Sequence, residues 1–149
     1  MSMPAGGTPV TQTFSSSEGR FRFGVPGGND VSNKQEFQWF IINQGQFYIK
    51  YYDYPQVVDT PEVSENFLKK LRDLVVSNRP NGQLEVDSPL TLAGHPGREL
   101  RIRDETGTQV DRIYLAGNRL YVVRAFVSMS LDCKLESAVK VLDTFEITE

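Results

Sequence analysis

Apolar residues recur every second position through much of the chain. From Glu36 to Asn43, Phe37, Trp39 and Ile41 fall on one face and Phe40 and Ile42 on the other, which predicts a strand buried on both sides. Asn43, Gln44 and Gly45 form a turn into residues 46–54, where Phe47, Ile49 and Tyr51 alternate with Tyr48, Lys50 and Tyr52. The two strands are expected to pair antiparallel. Upstream, shorter strand-like pieces at Thr13–Ser15 and Arg20–Val25 predict a small hairpin, and Pro26–Asn33 reads as a loop by its Gly and Asn content.

The period then changes. Thr60 stands as an N-cap before Pro61 at the first helical position, with Glu62 in the first turn. Val63, Phe67, Leu68, Leu71, Leu74 and Val75 make one apolar stripe, and Asn78, Pro80 and Gly82 end the helix. Strands follow at Gln83–Leu92, Arg98–Asp104, Gln109–Ala116 and Leu120–Ser128. A second helix is expected with Ser130 or Asp132 as its cap and Leu131, Leu135, Ala138, Val139 and Leu142 on its stripe, before a short strand or tail near Phe145–Thr148.

Strands, helix, strands, helix, joined by hairpin-type links, argue against a parallel doubly wound sheet. The expectation is an α+β fold: a mostly antiparallel sheet flanked by two main helices, forming one domain over 13–149 after a flexible arm at 1–12. If Thr106-Gly107 and Gly117-Asn118 are two-residue hairpin loops, Arg101 faces Arg112 and Asp111 faces Arg124. One sheet face then carries Leu100, Ile102, Ile113, Leu115, Leu120 and Val122, the expected core side, with Asp111 and Arg124 as an ion pair at its margin. The other carries Glu99, Arg101, Arg103, Arg112, Tyr114 and Tyr121. Clustered guanidinium groups require a compensating acid, such as Glu99 or a helix carboxylate, or an anionic partner. Arg101, Arg103, Arg112, Tyr114 and Tyr121 are therefore the candidate interaction face. Tyr48, Tyr51, Tyr52 and Tyr54 with Trp39 form a second candidate surface if they prove exposed.

Composition narrows the chemistry. A formal charge of −3 over 149 residues supplies no field to draw the chain onto nucleic acid. No apolar run reaches the roughly 20 residues of a membrane-spanning helix, so no membrane insertion is expected. The first residues do not read as a signal, which makes a cytoplasmic address the default, or an extracytoplasmic one if a leader has been removed. Cys133 alone cannot form an internal disulfide. The single histidine, His95, sits within Gly94-His95-Pro96-Gly97 and reads as a turn residue. No zinc spacing, phosphate loop or dinucleotide fingerprint is present, so no catalytic residue, cofactor or metal is assigned. Gly24, Gly27 and Gly28 take a loop role.

The runs Leu92–Leu100 and Arg112–Val123, followed by Ser137-Ala138 and Asp143-Thr144-Phe145, resemble the PsbP-like and Mog-like α/β/α sandwich proteins in an uncharacterised bacterial branch. The resemblance covers about residues 15–147 in element order, and only 92–123 in specific residues. It implies a non-catalytic accessory domain whose partner is another protein. The alternative is a small-molecule or anion binder with a pocket between helix and sheet. The Gly-rich stretch from Gly24 to Asp30 departs from the family pattern.

Overall fold

The structure is a computed structural model describing residues 11–26, 36–41, 45–54 and 60–148, with the side chains at 11–14, 25, 26, 36–41, 45 and 131–133 outside that description. The expected arm up to residue 10, most of the Pro26–Asn33 loop and the side chains of Trp39 and Cys133 fall outside it.

Strands β1 (Thr11–Ser16) and β2 (Phe21–Pro26) form the small hairpin, so Thr11 and Gln12, expected in the arm, belong to a strand and pair with Pro26 and Val25. The chain continues through β3 (Glu36–Ile41), β4 (Gly45–Asp53), helix α1 (Pro61–Ser77), β5 (Gln83–Leu92), β6 (His95–Asp104), β7 (Gly107–Ala116) and β8 (Arg119–Ser128). A 3₁₀ segment at Met129–Lys134 leads into helix α2 (Leu135–Leu142) and β9 (Glu146–Ile147). Two antiparallel sheets result. The large one has the order β3-β4-β8-β7-β6-β5, and in the small one β9 closes onto β2, giving β1-β2-β9.

Helix α1 begins as expected. The Thr60 hydroxyl accepts from the Val63 amide at 3.2 Å, and Pro61 occupies the first turn, where no amide partner is needed. The buried face is narrower than the apolar stripe. Ser64 and Leu68 are buried, whereas Val63 and Leu74 are exposed. At the other end of the chain, Lys134 occupies the N-cap of α2 without a side-chain hydrogen bond, so neither Ser130 nor Asp132 caps it.

Two turns differ from expectation. Ala93 (φ 51°) and Gly94 (φ 83°) form the β5–β6 turn, and two consecutive positive φ angles are the signature of a two-residue hairpin loop matched to strand twist. His95 is therefore the first residue of β6, opposite Leu92, and not a turn residue. The β6–β7 turn lies on Glu105-Thr106, with Asp104 opposite Gly107, which moves the register by two. Arg112 consequently faces Glu99, not Arg101, and Arg101 faces Val110. A shift of two keeps every side chain on its expected face. Across the β7–β8 turn Asp111 does face Arg124.

Each face of the large sheet carries a packed cluster. On one, Leu68 of α1 packs against Ile113, Leu115 and Leu120. On the other, Phe47, Ile49, Tyr51, Val110, Tyr121 and Val123 meet Phe21 and Phe23 of the small sheet and Ala138, Val139 and Leu142 of α2. The Leu100 face is core as expected, but the arginine-bearing face covers the larger cluster.

Candidate functional site

The expected arginine face is a joint between sheet and helix. The Glu99 carboxylate sits between two guanidinium groups, accepting from Arg112 Nε at 2.8 Å and from Arg101 Nε at 3.1 Å. Arg112 Nη1 donates onward to Asp143 at the end of α2 at 2.6 Å, and Arg101 lies 3.7 Å from Glu136 at its start. Arg103 pairs with Glu85 of β5. Glu99 and helix carboxylates thus supply the compensating acids that the clustered charge demands. The two tyrosines do not join an accessible surface. Tyr114 is stacked on Phe145 at 5.8 Å and Tyr121 is 1% exposed, because α2 and the segment behind it lie over them. Desolvation raises both phenol pKa values above the usual 10.

On the opposite face, the alternation of β4 separates its tyrosines. Tyr51 points into the core, and Tyr54 packs edge-on against Phe67 of α1 at 5.1 Å. Tyr48, Lys50 and Tyr52 lie on the α1 side of the sheet, opposite Arg124, Val122 and Leu120 of β8. All three retain solvent exposure, with Tyr52 at 38%. Helix α1 runs over β6 and reaches its partners there through Arg98–Glu65 at one end and Arg79–Asp104 at the other. Each ring of the stripe carries a cation: Arg124 stands over Tyr48 at 5.2 Å, Lys50 over Tyr52 at 5.0 Å and Arg79 over Phe126 at 4.7 Å. Asp111 orients Arg124 by accepting from its Nε at 2.7 Å and its Nη2 at 2.9 Å. Buried Asp111 also accepts from Gln109, while Arg124 keeps 32% of its side chain exposed.

No protein-family model matches the chain, and no curated protein matches it. Among solved structures, cyanobacterial PsbP (CyanoP) from Synechocystis sp. PCC 6803 is similar over 99% of this chain and 98% of its own, with a TM-score of 0.63 at 14% identity. The fold is PsbP-like. A protein from Bacteroides thetaiotaomicron VPI-5482 matches 92% of this chain with a TM-score of 0.50 and 14% identity, and the chain spans about half of its length.

Within this PsbP-like fold, one pocket of about 310 Å³ opens between the end of α1 and the sheet, lined by Asn78, Arg79, Asn81, Asp104, Gln109 and Arg124. Both its arginines already face carboxylates, Arg79 on Asp104 at 2.6 Å and Arg124 on Asp111. A second cavity lies at the end of the sheet where the β1–β2 and β7–β8 turns meet, and His95 lines it. Nearby, Arg119 grips both oxygens of Asp53 and donates to the Glu18 carbonyl at 2.8 Å, and its hydrogen bond holds the Asp53 pKa below the ordinary carboxylate value. Sequence reading did not single out Arg79, Arg119 or Phe126. Arg119 directly follows the Gly117-Asn118 turn, a position from which its side chain reaches the ends of neighbouring strands.

Proposed function

We propose that the protein is a non-catalytic docking domain that binds another protein through the stripe formed by Tyr48, Lys50, Tyr52, Arg124 and Phe126. The observation that carries this reading is the pairing of partly exposed rings with cations on the α1 side of the sheet. Tyrosine and arginine are enriched where protein interfaces concentrate their binding energy, because both offer large rigid contact area with a polar end. Arg101, Arg103 and Arg112 are weaker docking candidates, since a partner there has to displace Glu99, Glu85 and Asp143 from charges they already neutralise. The resemblance to accessory proteins of this fold class agrees with the docking reading. The test is a comparative pull-down from the native lysate. Tyr48→Glu with Tyr52→Glu is expected to keep the wild-type circular dichroism and lose the specific partners. Recovery of the same partners by that folded variant refutes the reading.

The second reading, a small-molecule or anion binder, has the helix–sheet pocket in its favour. A ligand at 100 times its dissociation constant adds about 2.7 kcal/mol to stability. A thermal-shift panel of anionic metabolites that moves the midpoint in wild type and not in Arg79→Gln supports it.

A further inference from the structure

We infer that the cavity at the turn end of the sheet, whose lining residues Ala116 and Tyr121 lie on the opposite face from the stripe, is a binding site for a small carboxylate with an apolar body. Its volume is about 370 Å³, at the low end for ligand pockets. Arg20, His95 and Thr148 supply its polar lining, and Ala116, Ile147 and Tyr121 the rest of the wall.

Arg20 sets this cavity apart. The other described arginines each have a carboxylate partner: Arg22, Arg72, Arg79, Arg98 and Arg101 do, and so do Arg103, Arg112, Arg119 and Arg124. Among the described arginines Arg20 alone makes no direct ion pair with a described carboxylate, and its charge acts on Asp53 only from a distance. It also occupies the left-handed region at φ 58°, where a glycine fits without strain and a branched cation gains nothing from the backbone. The surroundings over-determine that conformation. The Thr148 amide donates to the Arg20 carbonyl at 2.7 Å, the Tyr121 hydroxyl donates to the Gly19 carbonyl, and the Ser16 hydroxyl accepts from the Gly19 amide at 2.9 Å. Gly19 itself cannot change, since a Cβ there would lie 2.7 Å from the Phe21 ring.

The arrangement selects a ligand class. A guanidinium presents a planar fork that matches a carboxylate in two parallel hydrogen bonds, and the imidazole of His95 lines the same cavity. The Tyr121 hydroxyl is already committed to Gly19 and its ring is buried in the core, so Ala116 and Ile147 supply the apolar wall. A wall of methyl groups favours a ligand with a short apolar body over a bare inorganic anion.

The test titrates ¹⁵N-labelled protein with benzoate, acetate and inorganic phosphate while amide shifts are followed. Benzoate is expected to give saturable shifts at Arg20, Ala116, Gly117 and Thr148, with acetate and phosphate at least tenfold weaker. Arg20→Gly removes the guanidinium where the backbone prefers glycine, so it folds, and it is expected to weaken benzoate at least tenfold. The Tyr48→Glu, Tyr52→Glu variant is expected to keep the full response, which separates this site from the docking stripe. Absence of saturable benzoate shifts at those amides overturns the assignment. So does wild-type benzoate affinity in Arg20→Gly, or phosphate binding as tightly as benzoate.

Discussion

Asp104 decides where the β6–β7 turn falls. Its carboxylate accepts from the Thr106 amide at 2.8 Å, from the Thr106 hydroxyl, from the Gly107 amide at 3.2 Å and from Arg79. An aspartate bonding the amides two and three residues ahead closes a turn on the pair before the second of them, which here is Glu105-Thr106. The Gly117-Asn118 turn is legible because turn chemistry there resides in the loop residues, and it brings the Asp111–Arg124 pair with it. At the β6–β7 turn the deciding group is the residue before the loop, and a glycine three positions later points to the wrong pair. The same bonds, Thr106 first and then Arg79, lower the Asp104 pKa to about 2. A carboxylate whose folded pKa lies below its unfolded value near 3.9 stabilises above about pH 4 and loses that contribution as pH falls toward 2. Asp104→Asn is therefore expected to be less stable than wild type in urea at pH 7, with the gap closing between pH 4 and pH 2. A gap unchanged at pH 2.5 would assign the effect to geometry alone. At Asp111, substitution by Ala strands Arg124 and is expected to cost about 3 kcal/mol, the low end for a broken buried pair because Arg124 keeps 32% of its side chain in water. Replacing both partners, Asp111→Leu with Arg124→Met, is expected to recover most of that loss in urea unfolding.

At the scale of elements, α1 was the most readable part of the chain. Its cap, its first-turn proline and its stop signals are local chemistry, and each stands where the residues say. Which apolar residues are buried was less readable, since a 3.6-residue period fixes a direction but not the width of the surface the helix meets. The sheet meets α1 along Ser64, Leu68 and the half-buried Phe67 and Leu71, so Val63 and Leu74 fall at the edges of the stripe. Leu68→Ala is expected to cost about 3 kcal/mol, within the range for emptying a packed leucine site. Leu74→Gln, at 59% exposure, is expected to stay within about 0.5 kcal/mol of wild type. Chemical denaturation of the two variants compares them directly, and equal losses would mean that the helix packs about a different axis.

For the whole molecule, the hairpin logic found the strands but not the layers. Sorting residues by parity says which side chains share a face, and says nothing of what covers it. Parity places Tyr114 and Tyr121 on the same side as Arg101, Arg103 and Arg112, which suggests a surface. In the fold, the arginines reach sideways to Glu99, Glu85 and Asp143, and the tyrosines lie under α2 and Phe145. The covering pieces are contributed by the two far ends of the described chain, with Phe21 of β2 and Phe145 near β9 in ring contact at 5.6 Å and both against Tyr121 of the large sheet. No local pattern announces a contact between residues so distant in sequence. That ring cluster ties the small sheet to the large one, so the two are expected to unfold together. Phe145→Ala removes the ring that touches Phe21, Tyr114 and Tyr121, and is expected to cost about 4 kcal/mol. It is expected to lower the midpoint of the far-ultraviolet and near-ultraviolet circular dichroism transitions by the same amount, which is what one cooperative unit requires. If the near-ultraviolet signal of the variant melts first and leaves the far-ultraviolet transition in place, the small sheet is a separate folding unit, and the rings at its border do not couple it to the rest.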